Sequence, residues 1–180
     1  MKNYNFAFLA VLLFISTTVF AQDPTRFKGQ VEKIHQDNPI QENLNSIVFT
    51  GSSTIRMWKS LQEDFPQHNV INAGFGGSQA SDLLYYIDEL ILDYKPTKVF
   101  IYEGDNDISS GKSTDEILMT FNLITSKIHE ALPETEIVII SPKPSVARWK
   151  LADQYLELNK KLKKFTKSEK YMKYADLWKP

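Results

Sequence analysis

The apolar positions of this chain alternate between two patterns. Short β-branched runs are separated by longer stretches with helical spacing. Ser46 to Thr50, Asn69 to Ala73, Val99 to Tyr102 and Glu136 to Ile140 are of the first kind and predict buried strands, with Tyr171 to Ala175 as a weaker fifth. Pro24 to Gln36 sets Phe27, Val31, Ile34 and His35 at helical spacing and is stopped by Asp37-Asn38-Pro39. Met57 to Phe65 predicts a short helix closed by Pro66. Ser78 to Tyr94 predicts a longer one, with Leu83, Leu84, Ile87, Leu90 and Ile91 on one face and Asp82 near its positively polarised start. Ser113 and Glu116 form a capping-box pattern ahead of a helix that runs to about Leu132, before Pro133. Ala152 to Lys167 is amphipathic through Tyr155, Leu156, Leu158, Leu162 and Phe165. This alternation predicts an α/β fold, a mostly parallel five-stranded sheet covered on both faces. Right-handed crossovers then bring every strand-to-helix connection to one edge of the sheet, the edge where such sheets bind ligands.

The N-terminus stands apart from this pattern. Lys2 supplies a basic start, Phe6 to Phe20 is an apolar run, and Val19-Phe20-Ala21 resembles a signal-peptidase site. Residues 1–21 therefore read as a secretory signal, residues 22–180 as one domain, and the expected location is secreted or periplasmic. The stretch from Asn3 to Gln22 is nearly long enough to be a membrane anchor, but the polar Gln22-Asp23-Pro24 favours cleavage, and no later segment is apolar enough to span. The formal net charge is −1, and removing Lys2 makes the chain slightly more acidic. Nothing in this balance suggests nucleic acid or an anionic membrane as a partner. The absence of cysteine rules out a thiol nucleophile and a thiolate metal site, and leaves stability to the core.

Three polar, small-residue segments follow the first three strands: Phe49-Thr50-Gly51-Ser52-Ser53-Thr54, Asn72-Ala73-Gly74-Phe75-Gly76-Gly77 and Gly104-Asp105-Asn106-Asp107. Alone, each reads as a turn. In order, at the ends of successive strands, they converge on one edge and offer the parts of a serine esterase. Ser53 is the candidate nucleophile, at a strand-to-helix turn whose N–H groups favour an anion. Gly77 offers a backbone N–H with no side chain in the way, and Asn106 an amide donor. Gly-Phe-Gly-Gly at 74–77 lacks the following Lys-Ser or Lys-Thr of a phosphate-binding loop.

These segments resemble the SGNH or GDSL hydrolases, the GDSL-like lipases and acylhydrolases. Gly51-Ser52-Ser53-Thr54 is similar to the family's Gly-Asp-Ser-Leu block, Asn72 and Gly77 to its Asn-x-x-x-x-Gly, and Gly104-Asp105-Asn106-Asp107 to its Gly-x-Asn-Asp block. The resemblance implies a flavodoxin-like three-layer α/β/α sandwich with Ser53 as nucleophile, and Gly77 and Asn106 holding the oxyanion. It implies no cofactor, and a small-molecule ester as substrate, with an acylated carbohydrate or lipid as the class expected. Two positions depart from it. Ser52 stands in place of the family's Asp, which supports the turn. The family's Asp-x-x-His block, which carries the acid and base and is expected beyond the fifth strand, does not occur; the chain there reads Asp176-Leu177-Trp178-Lys179-Pro180. The expectation is a domain lacking the C-terminal block and last helix, and an esterase severely impaired by that lack. The alternatives are a non-catalytic, glycan-binding remnant of the same fold, or a flavodoxin-like binding module unrelated to hydrolysis.

No other histidine is expected to serve as base. His35 lies in the first helix, while His68 and His129 precede strands and so fall on the opposite edge. Ser141-Pro142-Lys143-Pro144 follows the fourth strand at the active edge, where Arg148 and Trp149 either line a substrate cleft or belong to a rigid proline turn. Glu103 and Asp105 are thin evidence for a metal, with no histidine cluster beside them.

Overall fold

The computed structural model describes residues 23–178; the expected signal segment lies outside the described residues. A 3-10 turn, Pro24–Phe27, leads into helix α1 (Lys28–Asp37), and the chain then enters strand β1 (Ile47–Gly51). Two single-turn helices, α2 (Ser53–Arg56) and α3 (Leu61–Asp64), precede β2 (Val70–Gly74). Helices α4 (Ala80–Tyr85) and α5 (Ile87–Leu90) and a 3-10 turn at Leu92–Tyr94 lead to β3 (Lys98–Tyr102). Helices α6 (Asp105–Ser109) and α7 (Thr114–Ala131) lead to β4 (Glu136–Ile140). A 3-10 segment, Val146–Leu151, and α8 (Ala152–Phe165) lead to β5 (Met172–Ala175).

All five strands pair in parallel in the order β2-β1-β3-β4-β5. This is the α/β/α sandwich the alternation predicts, and its two helical layers are unequal. Val48, Ile71, Val99, Ile101, Ile137 and Ile139 form one face of the sheet and are buried under residues of α1, α4, α5, α7 and α8. The opposite face carries Phe49, Val70, Tyr102 and Ile140, with Phe100 partly covered, and α2 and α3 bring Ile55 and Leu61 onto it. Aromatic contacts supply much of the rest: Phe49 stacks on Phe100 at 4.3 Å and meets Trp58 edge-on at 5.6 Å. The period of two along each strand fixes this division.

Two segments differ from their periodicity. Of the helix predicted over Met57–Phe65 only Leu61–Asp64 is helical, and a separate turn, α2, lies ahead of it from Ser53. Ser52 is extended and its carbonyl accepts from the N–H groups of Ile55 and Arg56, so helical bonding starts at the strand's end. The helix predicted over Ser78–Tyr94 is broken at Tyr86 and Ile91. The chain then reaches Lys95 in the left-handed region, with the buried Tyr94 hydroxyl donating to Asn38 O at 3.0 Å. The capping box at Ser113 and Glu116 forms as its sequence predicts.

Candidate active site

The sheet order reverses at β1: the chain moves outward to β2, returns, and continues from β3 on the other side. Such a switch point opens a crevice at the carboxyl ends of the strands. Gly51 is level with Gly74 of β2 and with Tyr102 of β3. Ser53, Gly77 and Asn106 follow these three positions by two, three and four residues. The register therefore brings the three predicted residues to one edge, on neighbouring strands, with Ser53 on the middle one.

Gly51 makes the Ser53 turn possible. Its φ is +129°, and a Cβ would lie 2.0 Å from Tyr102 O. Around it the ladder stays closed: Ser52 N–H donates to Tyr102 O at 3.1 Å and Phe75 N–H to Gly51 O at 2.8 Å. Ser52, in the place of the family's Asp, is fully buried, and its hydroxyl has no partner among the described residues. Ser53 is the first residue of α2 and half-buried. Neither its hydroxyl nor its N–H is bonded among the described residues.

Asn72 ties this turn down. Its Nδ2 donates to Ile55 O at 2.8 Å and Trp58 O at 3.1 Å, and its Oδ1 accepts from Gly74 N–H at 3.1 Å. One side chain thus clips α2 to β2. Gly77 is exposed with φ +88°, and its N–H has no acceptor among the described residues.

Asn106 lies in the first turn of α6. Its Nδ2 donates one hydrogen to Ser78 O at 2.8 Å and its Oδ1 accepts from Arg148 Nη2 at 3.0 Å. These bonds fix the amide's direction and leave one N–H spare. Arg148 is itself held by Asp105, Nη1 to Oδ1 at 2.7 Å, and the Tyr155 hydroxyl bonds the same carboxylate. The guanidinium is therefore committed to Asp105 and Asn106. Trp149 is 64% exposed and stacks on Trp178 with centroids 6.2 Å apart.

Beneath this edge lies a buried polar cluster centred on Ser78. Ser78 is fully buried and acts as a hub: its carbonyl receives Asn106, and its hydroxyl donates to Glu103 Oε1 at 2.5 Å. Glu103 is itself fully buried with Oε2 unpartnered. Burial, reinforced by the nearby Asp107, pushes its carboxyl well above the usual range. Asp107 is also buried; it accepts from Ala80 N–H and is paired with Lys112 at 3.1 Å. Its pKa is raised by burial, with Lys112 opposing. Asp82 completes a capping box with Gln79, and burial raises it too. In the sequence Glu103 reads only as a carboxylate at a strand end and as thin evidence for a metal. Among the described residues, no three His, Cys, Asp or Glu side chains cluster closely enough to hold a metal ion.

The three histidines stand elsewhere. His35 Nε2 bonds Glu89 O at 2.7 Å, His129 stacks on Tyr171 at 3.8 Å, and His68 is exposed just before β2. His68 and His129 precede β2 and β4 in the chain and so lie toward the edge opposite Ser53.

A doubly wound parallel sheet with a switch-point crevice at its carboxyl edge defines the class: an α/β protein of the three-layer sandwich type. The family model for GDSL-like lipases and acylhydrolases matches residues 45–180, and the chain belongs to that family. No curated relative matches. Solved structures share the fold. A candidate platelet activating factor from Streptococcus pneumonia superposes with a TM-score of 0.74 at 21% identity, over 86% of this chain and 76% of that one. A GDSL-like lipase from Bacteroides thetaiotaomicron gives 0.69 at 17% identity, over 88% and 79%. A catalytic mutant of an acetylxylan esterase from Geobacillus stearothermophilus gives 0.59 at 15% identity, over 73% and 76%. Among the described residues no helix is long and apolar enough to cross a membrane.

Proposed function

We propose that the chain is a serine ester hydrolase whose nucleophile is Ser53, acting on a small acyl ester of a carbohydrate or lipid. One observation carries this reading: Ser53 sits at the switch point with its hydroxyl and N–H free, between the free N–H of Gly77 and the spare N–H of Asn106. Ser53 Oγ attacks the ester carbonyl. The Ser53 and Gly77 N–H groups and the Asn106 amide receive the oxyanion as charge moves onto it, and each such donor is worth about 3 kcal/mol in the transition state. Collapse expels the alcohol and leaves an acyl-serine, which water hydrolyses. The serine proton needs a base. The Geobacillus neighbour, a catalytic mutant in which a histidine is replaced by alanine, supports a histidine in that role among relatives.

Of the histidines among the described residues, His35 and His129 are committed to other contacts and His68 lies exposed before β2, which supports slow turnover by these residues, with the proton passing to solvent. Catalysis without a positioned base retains about 10³–10⁴-fold over water, from binding and the oxyanion donors. The apolar run Phe6–Phe20 ahead of Ala21 supports export, to the periplasm or outside the cell.

The test is labelling by a fluorophosphonate, in which the Oγ–P bond forms as fluoride leaves. Wild type labels slowly, Ser53→Ala does not label, and p-nitrophenyl acetate turns over weakly. Labelling that survives in Ser53→Ala overturns the assignment of the nucleophile. Turnover at the rate of a hydrolase with a positioned histidine base overturns the impairment. A second reading follows from the histidine positions: a protein that keeps the pocket and binds an acylated glycan without cleaving it. Retained glycan binding with no Ser53 labelling separates the two.

A further inference from the structure

A cavity of ≈ 420 Å³ lies along the free edge of the sheet and is not lined by Ser53, Gly77 or Asn106. Its floor is the edge strand β2, and its walls are α1 on one side and α2, α3 and the turn between them on the other. An open strand edge ordinarily invites another strand, but this one is occupied. Ile47 N–H donates to Asn69 O and Phe75 N–H to Gly51 O, so odd-numbered residues of β2 face β1 and Val70, Asn72 and Gly74 turn their backbone groups outward. Val70 N–H is taken by Gln62 Oε1 at 3.4 Å and Gly74 N–H by Asn72 Oδ1 at 3.1 Å. Strand addition lacks these donors, and the volume is that of a small-molecule site.

The charge of the walls narrows the ligand. Lys33, Arg56 and Lys59 line the cavity with Asp37 as the sole acid among its lining residues. Lys33 is paired with Asp37 at 2.9 Å. Arg56 and Lys59 pair with no carboxylate among the described residues. A chain of net charge −1 thus holds two uncompensated cations in one concavity, which focuses positive potential there. Trp58, partly exposed, adds an aromatic surface. The guanidinium of Arg56 lies across Gly76, where a Cβ would be 2.3 Å from Nε. The cleft therefore touches the loop that carries Gly77.

We propose that this cleft binds a small organic anion, a carboxylate- or sulfate-bearing molecule up to the size of a sugar acid. Arg56 and Lys59 pair with its charge, and Trp58 packs against its apolar face. The site does not depend on the hydrolytic reading, and calorimetric titration of the full chain with sodium glucuronate, with glucose as the neutral twin, tests it. Glucuronate binds at least about tenfold more tightly than glucose, and added salt weakens it. Lys59→Gln weakens glucuronate about fivefold, and Arg56→Lys, which keeps the charge, retains most of the affinity. Because Arg56 also packs on the Gly76 loop, Lys59→Gln carries the decision. Ser53→Ala binds like wild type, so loss of Ser53 chemistry leaves this result standing. Equal binding of the two sugars, no heat from glucuronate, or unchanged affinity in Lys59→Gln overturns the proposal.

Discussion

Replacing Asn72 by alanine removes the clip between the sheet and the helix that carries Ser53. Three hydrogen bonds are lost: to Ile55 O at 2.8 Å, to Trp58 O at 3.1 Å and from Gly74 N–H at 3.1 Å. A net hydrogen bond contributes about 1 kcal/mol, with a range of about 0.5–1.5. Asn72 is only half-buried, so water replaces part of the loss. The expected cost is about 2–3 kcal/mol. For a domain of this size that lowers Tm by about 5–10 °C, measured by circular dichroism with urea unfolding as an independent check. A second readout separates clip from general stability. With α2 no longer held, fluorophosphonate labelling of Ser53 slows even well below Tm, whereas a comparably destabilising core change such as Ile128→Ala on α7, at about 2–5 kcal/mol, leaves it unchanged. A Tm within about 1 °C of wild type would refute the reasoning, because the bonds would then be no better than those to water.

Gly51→Ala must place a Cβ 2.0 Å from Tyr102 O at φ +129°, and the expected outcome is loss of soluble, cooperatively unfolding protein in a thermal melt. Glu103 has a folded pKa raised above its unfolded value. Its contribution to stability is full below the ordinary glutamate range and is lost as pH rises through the folded value. Glu103→Gln is therefore expected to gain Tm relative to wild type as pH rises, and a difference that is flat with pH contradicts this. Arg148→Met frees Asn106 Oδ1 from its 3.0 Å partner and Asp105 from its 2.7 Å ion pair; if Asn106 receives the oxyanion as proposed, Ser53 labelling slows about tenfold at temperatures well below the lowered Tm.

The fold was largely legible because strand runs and helix stripes follow local rules. The fourth strand, Glu136–Ile140, and the Ser113 capping box appear at their predicted residues. Where the elements depart from periodicity, tertiary contacts take precedence. Trp58 meets Phe49 edge-on, and of the helix expected over Met57–Phe65 only α3 forms. The run expected as one helix to Tyr94 breaks twice before the Tyr94 hydroxyl meets Asn38. The segments that carry Ser53, Gly77 and Asn106 stand out in the sequence because small and polar residues after apolar strands are conspicuous. The roles of Ser78, Glu103 and Asp105 do not, because a serine, a glutamate and an aspartate have no pattern of their own until their partners are known.

By itself the sequence determines a parallel α/β sheet, the edge on which its connections gather, and the three short segments placed there, because periodicity and crossover handedness are properties of the local chain. Only the tertiary structure decides which donors remain free. Asn72 is used up as a clip, Arg148 is spent on Asp105 and Asn106, and the N–H groups of Ser53 and Gly77 are left open. Only the tertiary structure leaves the unpaired cations Arg56 and Lys59 in a cleft beside β2. Hydrogen bonds and ion pairs are made between residues far apart in the chain, so their assignment exists only once the sheet has brought those residues together.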